Sequence, residues 1–285
     1  RLRDNQEGNL SAELIATLTQ MRKIAAAHEA LVTLIPDREN RAAAAFVAAT
    51  AHQAFALGRS LSGDEKPATM IDSATLSPEV CATLLFMIAE SYADGAEASK
   101  TILPSEDNAN PIEKSLLSSI GRLARGELRS ISTMDIPEID FFFSFGEQAH
   151  QALLLELFKG VRNLALQLQL RIDLPVADGG VESARAAFER VKSLCIDELE
   201  GVRPDTQIFS LFPGPLHLAN LLLAAERDLL ASAITRTPTP GGVEEIGWWP
   251  IIRQMSRQRP FLWRNHREAI DRGYLEQGVS AAISF

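Results

Sequence analysis

Three residues near the carboxyl end of the sequence, Trp263, His266 and Arg267, have the types and spacing of a small recognition site. An indole stacks on a planar ring, an imidazole hydrogen-bonds to its edge, and a guanidinium carries a permanent positive charge. Together they could bind adenine, with Trp263 stacked on the base, His266 bonded to its edge and Arg267 nearby. The alternative interpretation is an amphipathic helix whose basic face is solvated.

The residues around these three define an ordered series of elements. Residues 259–270 combine a short aromatic and basic stretch with a short amphipathic helix, 271–278 form a glycine-bounded turn, and 279–285 are predicted to be an apolar strand. A buried strand needs a sheet, and nothing upstream clearly supplies one. We therefore expect residues 279–285 to be the first strand of a domain that follows.

In this order the segment resembles the start of the motor core of superfamily 2 helicases of the DEAD/DEAH type. The resemblance places Trp263 where the family stacks a side chain on adenine, and His266 where it usually has glutamine. Residues 267–270 match the helix that follows, with Arg267 near the base, and 279–285 match the strand before the phosphate loop. It implies ATP, with Mg²⁺, as the cofactor of the full-length protein and nucleic acid, DNA or RNA, as its partner.

The phosphate loop itself, G-x-x-x-x-G-K-[ST], does not occur in the sequence,. The chain by itself is therefore expected not to be catalytic. The resemblance implies an N-terminal accessory or regulatory region of a motor that translocates on or remodels nucleic acid. Such a region would regulate the motor, contact a partner subunit or shape the path of the nucleic acid, and a role in bacterial antiviral defence or repair is a further expectation.

The charge distribution argues against nucleic-acid binding by most of the chain. The formal net charge is −9 over 285 residues. Residues 236–285 contain seven arginines and five acidic residues, so they carry +2 and the remainder carries −11. Because nucleic-acid binding usually needs a basic patch, any contact with phosphates is expected in the C-terminal stretch.

The cysteines and histidines give no metal-binding pattern. Cys81 and Cys195 are far apart, lie in apolar helical contexts, and are predicted to be buried free thiols in a reducing cytoplasm,. The five histidines are scattered, without an H-E-x-x-H pair or a cysteine–histidine cluster,. We therefore predict no metal site from the sequence, and no apolar run is long enough to span a membrane.

Helical periodicity and capping signals predict an all-α fold, an irregular multi-helix bundle of paired helices followed by the short C-terminal strand. Ser77-Pro78 and Asn110-Pro111 each combine a capping side chain with proline in the first turn,. The predicted helices are approximately 11–35, 37–59, 77–93, 110–125, 147–172, 181–199 and 215–235,. The predicted domains are 1–235 (helical accessory domain), 236–258 (linker and connecting helix) and 259–285 (start of the motor domain).

Two aromatic stretches leave alternatives open. Phe141 to Phe145 could form a short strand or an aromatic plug under the helices, and the plug is preferred because no partner strand is evident. Trp248 and Trp249 could anchor their segment on the helical domain, or one could stay exposed for base stacking or a partner,. The alternative function for the whole chain is a stand-alone all-α protein-interaction scaffold built of paired helices.

Overall fold

Paired helices make up the computed structural model, which describes residues 2–61, 69–102, 110–139, 144–170, 182–196 and 210–276, with side chains described from residue 12. The protein is all-α, as predicted, and within these ranges the only β pairing is three isolated bridges. The α-helices are α1 (Leu2–Leu34), α2 (Arg38–Leu61), α3 (Pro78–Ile88), α4 (Tyr92–Ala98), α5 (Pro111–Ala124), α6 (Leu128–Ser132), α7 (Phe145–Leu170), α8 (Ala184–Cys195), α9 (Pro213–Ser232), α10 (Glu245–Ser256) and α11 (Arg264–Asp271), and a 3₁₀ turn spans Ile234–Arg236.

Capping side chains begin three helices where the sequence predicted them. Asn110 accepts a hydrogen bond from the backbone N–H of Ile112 at 2.8 Å, and Asp37 accepts one from Asn40 at 2.9 Å. Ser77 accepts a longer one, 3.4 Å, from the backbone N–H of Val80 at the start of α3. Each cap satisfies a backbone donor that has no partner inside its helix.

The helical body, α1 to α9, is organised around α3. Every residue of α3 after Pro78 is buried, and α2, α4, α5 and α9 all pack against this helix. Alanines of α2 at 44, 45, 48 and 49 are buried in the core. Helices α7 and α8 approach so closely that a Cβ on Gly160 would lie 2.3 Å from the ring of Phe188.

Three helix ends close with the same backbone motif, in which a residue of positive φ follows the helix. Gly126 after α5 and Gly273 after α11 have φ of 75° and 89°, values that cost glycine nothing,. The third position, after α3, is Glu90 with φ of 61°. Its N–H bonds to the carbonyl of Met87, and the next N–H, of Ser91, bonds to that of Phe86.

Several predicted boundaries are wrong. Helix α1 begins at Leu2 instead of residue 11, so the polar residues before Ser11 are helical. Helix α3 ends at Ile88 instead of residue 93, because the chain reverses at Glu90. Helix α8 is shorter than predicted, Ala184–Cys195. The predicted strand 279–285 and most of the 141–145 plug lie outside the described residues, and Phe145 is an exposed first residue of α7.

The C-terminal segment, residues 243–276, contains α10 and α11 and follows a stretch that is partly buried. Thr235 is buried, and its hydroxyl donates to the carbonyl of Leu168 at 2.8 Å. The chain therefore packs on the helical body just before the predicted linker, and Thr237 within the linker is also buried. The domain division at 235 and 258 stays a prediction. None of the described helices combines the length and apolarity needed to cross a membrane.

Candidate functional site

The stretch just before α11 pairs with the end of α9. Ile234 donates its N–H to the carbonyl of Pro260 at 2.9 Å, and Leu262 donates to the carbonyl of Ser232 at 2.8 Å. Phe261 lies between these bonds, is buried, and stacks on Tyr92 with ring centroids 4.9 Å apart. This short antiparallel pairing fixes the direction in which the chain enters α11.

Gly126 also lies against this stretch, at Pro260. A Cβ at this position would lie 2.9 Å from Cδ of Pro260, closer than side chains normally approach. Gly126 therefore serves two purposes, since its positive φ closes α5 and its missing side chain leaves room for the proline.

Trp263 and His266 lie in contact at the start of α11, and their binding of adenine stays a prediction. Trp263 precedes the helix, is 54% exposed, and meets the ring of His266 edge-on, with centroids 6.5 Å apart and planes at 69°. Beside Trp263 is an open depression of about 480 Å³, lined by Trp263, Arg264, Asn265, Glu268 and Glu90, and His266 is not among the residues that line it. An exposed indole beside an imidazole can stack on one planar base and hydrogen-bond to its edge.

Arg267 lies on a carboxylate. Its Nη1 donates to both oxygens of Glu90 at 2.7 Å, and the Glu90 side chain is only 3% exposed. Arg264, which lines the depression, pairs with Glu39 and Glu268. Both arginines thus already have acidic partners, and the proposed position of Arg267 near the base stays a prediction.

Glu90 joins α11 to the helical body. Its Oε1 also accepts a 2.8 Å hydrogen bond from Nε of Arg38, the first residue of α2. Arg38 in turn donates to Ser232 Oγ at 2.6 Å and to the carbonyl of Asp228 at 3.2 Å. The buried carboxylate of Glu90 therefore pairs with two guanidiniums, those of Arg38 and Arg267. Through them it connects the turn after α3 with α2, α9 and α11.

A second polar cluster lies inside the helical body. Glu29 of α1 bonds through one oxygen to His52 Nε2 of α2, at 2.8 Å, and through the other to His217 Nε2 of α9. Ligand atoms of Glu29, His217 and Cys81 of α3 all lie within 4.8 Å of one another. Burial raises the pKa of Glu29, but the two histidines outweigh it and lower the pKa to about 2.

The sequence did not reveal either buried cluster. Glu90 and Arg267 are 177 positions apart, and Glu29 and His217 are 188 apart. Spacing rules detect pairs on one helix or in one loop, whereas these groups are brought together by packing. The only local signal was the repeated occurrence of charged or ionisable residues within apolar helices.

Trp248 and Trp249 are half-buried on α10. Ile252 and Ser256, on the same helix, are buried. Ile246 and Ile251 on α10 are exposed, so this helix buries one face and leaves apolar side chains on the other. Each tryptophan is thus partly buried and partly exposed, and the choice between an anchor and an exposed stacking residue stays open.

No protein-family model matches the chain, and no curated protein has a significantly similar sequence.

Proposed function

We propose that the chain is the N-terminal helical accessory region of a superfamily 2 helicase and holds an adenine-recognition segment on its surface. The observation that carries the proposal is the exposed indole of Trp263 at the start of α11, edge-on to His266. The order of elements agrees with the family, because the helix is followed by a glycine turn at Gly273. Within the proposal Trp263 stacks on adenine, and His266 bonds to its edge.

In the proposed full-length protein, ATP with Mg²⁺ supplies the free energy for moving along or remodelling DNA or RNA. The helical body orients the base-recognition segment, because Glu90 and the pairing with α9 fix the start of α11. Nucleic acid is expected to bind the motor, since the chain outside residues 236–285 carries −11,. A protein partner on the helical body is a further part of the proposal.

We also propose that the protein acts in the cytoplasm. The support is that Cys81 and Cys195 are both buried free thiols, which suits a reducing compartment,. A role in bacterial defence or repair rests only on the large helical regions found in many bacterial helicases of that kind.

The direct test is saturation-transfer NMR of ATP with this chain. Weak binding is enough for this method, and the adenine protons should receive more saturation than the ribose protons because the base stacks on Trp263. Trp263→Ala should abolish the adenine signal, since one base–aromatic stack contributes about 1–3 kcal/mol. The control is Trp249→Ala, which removes a half-buried tryptophan of α10 and should leave the signal unchanged.

An adenine signal that is absent, or equally strong in Trp263→Ala, would contradict the adenine site. In a longer protein that includes the motor, Trp263→Ala should raise KM for ATP about 10-fold or more by the same stacking energy. Unchanged KM and kcat there would remove Trp263 from the nucleotide site.

A protein-interaction scaffold is the second candidate. The observation in its favour is the exposed apolar face of α10, where Ile246 is 86% exposed. Exposed apolar surface of this kind marks partner-binding sites when it forms a patch. A scaffold would give no adenine signal in the NMR experiment, which separates the two candidates.

A further inference from the structure

We propose that Glu29, Cys81 and His217, with His52 as a fourth donor, bind a divalent transition-metal ion of the zinc class inside the helical body. This site is independent of the adenine segment. It would give the accessory region a structural metal centre that neither the sequence motifs nor the proposed function contains.

The first support is convergence from four helices. Glu29, His52, Cys81 and His217 belong to α1, α2, α3 and α9 respectively. Three of them already place ligand atoms within 4.8 Å of one another, whereas the bond lengths of a tetrahedral zinc site give separations of roughly 3.3–3.8 Å,. Small side-chain adjustments would complete the set, because His52 Nε2 lies 2.8 Å from the Glu29 carboxylate.

The second support is the chemistry of the donors. One thiol, two imidazoles and one carboxylate are the ligand types of zinc and cobalt sites, whereas magnesium and calcium prefer oxygen ligands. Both histidines direct the same atom, Nε2, toward the single carboxylate. Each ring can exchange its hydrogen bond to Glu29 for a bond to a metal ion once its Nε2 proton is released or moves to Nδ1.

The third support is burial with one route of access. The side chains of Glu29 and His52 are about 15% exposed, and Cys81 is buried. His217 is 36% exposed, so an ion can reach the cluster past this ring. With four protein donors the site would be closed, which is typical of structural ions. A bound ion would fasten α1, α2 and α9 to the central helix α3.

The competing explanation is a metal-free His–Glu–His hydrogen-bonded cluster beside a buried thiol. It predicts that Cys81 contributes nothing to metal binding. A metal site predicts that the thiolate becomes a ligand and that its proton is released on binding. The thiolate therefore provides a spectroscopic signature that separates the two explanations.

The test uses the whole chain and the metal ions alone. Metal analysis of protein purified without chelator should give about one zinc per chain, as expected for a single structural site. Titration of the metal-free chain with Co²⁺ should produce tetrahedral d–d bands and a thiolate-to-cobalt charge-transfer band, which Zn²⁺ should displace and Mg²⁺ should not.

Two variants assign the band. Cys81→Ser should abolish the charge-transfer absorption, whereas Cys195→Ser, the other buried thiol, should keep it. His217→Ala, at the most accessible ligand, should weaken Co²⁺ affinity at least 10-fold, because outer-shell losses alone cost about that much. A parent chain without zinc and without the cobalt band overturns the proposal, whether or not the variants fold, and so does a band that survives in Cys81→Ser.

Discussion

In α3 every residue after Pro78 is buried, whereas α11 buries only Ala269. Helix α3 is surrounded by apolar side chains of four other helices, but α11 reaches the helical body through Arg267 on Glu90 and through the backbone pairing that precedes it. Burial of apolar surface is non-directional and is not screened by ions, while an ion pair depends on single atoms and on ionic strength. Single changes should therefore be able to release α11 and leave the helical body folded.

The largest effect is expected from truncating the apolar core. Phe158 on α7 is fully buried, so Phe158→Ala should lower the free energy of unfolding by about 3–5 kcal/mol,. Phe145→Ala on the same helix is the matched control, because Phe145 is 88% exposed. Urea unfolding followed by circular dichroism measures both, and equal losses would contradict the difference in burial.

The next effect tests the junction between the two regions. Glu90→Gln removes the charge that Arg38 and Arg267 share. The free energy of unfolding should fall by about 1–3 kcal/mol, because both guanidiniums are partly solvated and keep water as a partner,. Hydrogen exchange should accelerate about 10-fold or more in α11 and remain slow in α3.

Glu97→Gln is the control for this change. Glu97 forms an exposed i,i+3 pair with Lys100, which should contribute less than about 1 kcal/mol,. Faster exchange in α3 and α11 alike after Glu90→Gln would show that the carboxylate supports the whole core and not the docking of α11.

A smaller effect is expected at the glycine that faces Pro260. Gly126→Ala should cost about 1–2 kcal/mol, because alanine resists a φ of 75° and its Cβ would meet the proline,. Gly247→Ala in the first turn of α10 is the opposite case, with open space around the position. It should leave stability unchanged or raise it by up to about 1 kcal/mol. Thermal unfolding of the two variants compares them directly.

The smallest effect concerns pH. Burial raises the pKa of Glu113 although its Oε1 accepts backbone hydrogen bonds from Met70 and Ile71 at 2.6 and 3.0 Å. A raised carboxyl pKa favours the folded state when the group is protonated, below 4.5, and this contribution is lost as pH rises through the folded pKa,. Each unit of the raise corresponds to about 1.4 kcal/mol.

Glu113→Gln keeps the accepting oxygen and removes the charge. Relative to the parent it should be more stable at pH 7, and the gap should shrink as the pH approaches 4. Unfolding curves across this range check the sign. A gap that widens toward low pH would mean that the buried carboxylate is stabilised as an anion.

Local signals predicted the starts of α2, α3 and α5, because Asp37, Ser77 and Asn110 bond to N–H groups two or three residues away. They also predicted that Trp263 and His266 lie together, since both belong to one short helix and its cap. Such features depend on neighbours in the chain, which a sequence displays directly.

The end of α3 could not be predicted in this way. No glycine or proline marks Glu90, and its left-handed conformation is compensated by Arg38 and Arg267, which come from distant parts of the chain. The pairing of Arg267 with Glu90 could not be predicted either, because the two residues are 177 positions apart. The charge of Arg267 looked available for a ligand, whereas packing places a carboxylate beside it. Tertiary contacts of this kind override local preference.

The position of Arg38 has a mechanical consequence. It is the first residue of α2, directly after the corner where the 33-residue α1 ends, and it shares Glu90 with α11. At about 1.5 Å per residue α1 is roughly 50 Å long, and the corner at its carboxyl end leads into the residue that shares Glu90 with α11,. A tilt of about 5° at that corner would carry the far end of α1 by about 4 Å. A shift of α11 that reached Arg38 and tilted α1 would thus be enlarged toward the amino end of that helix.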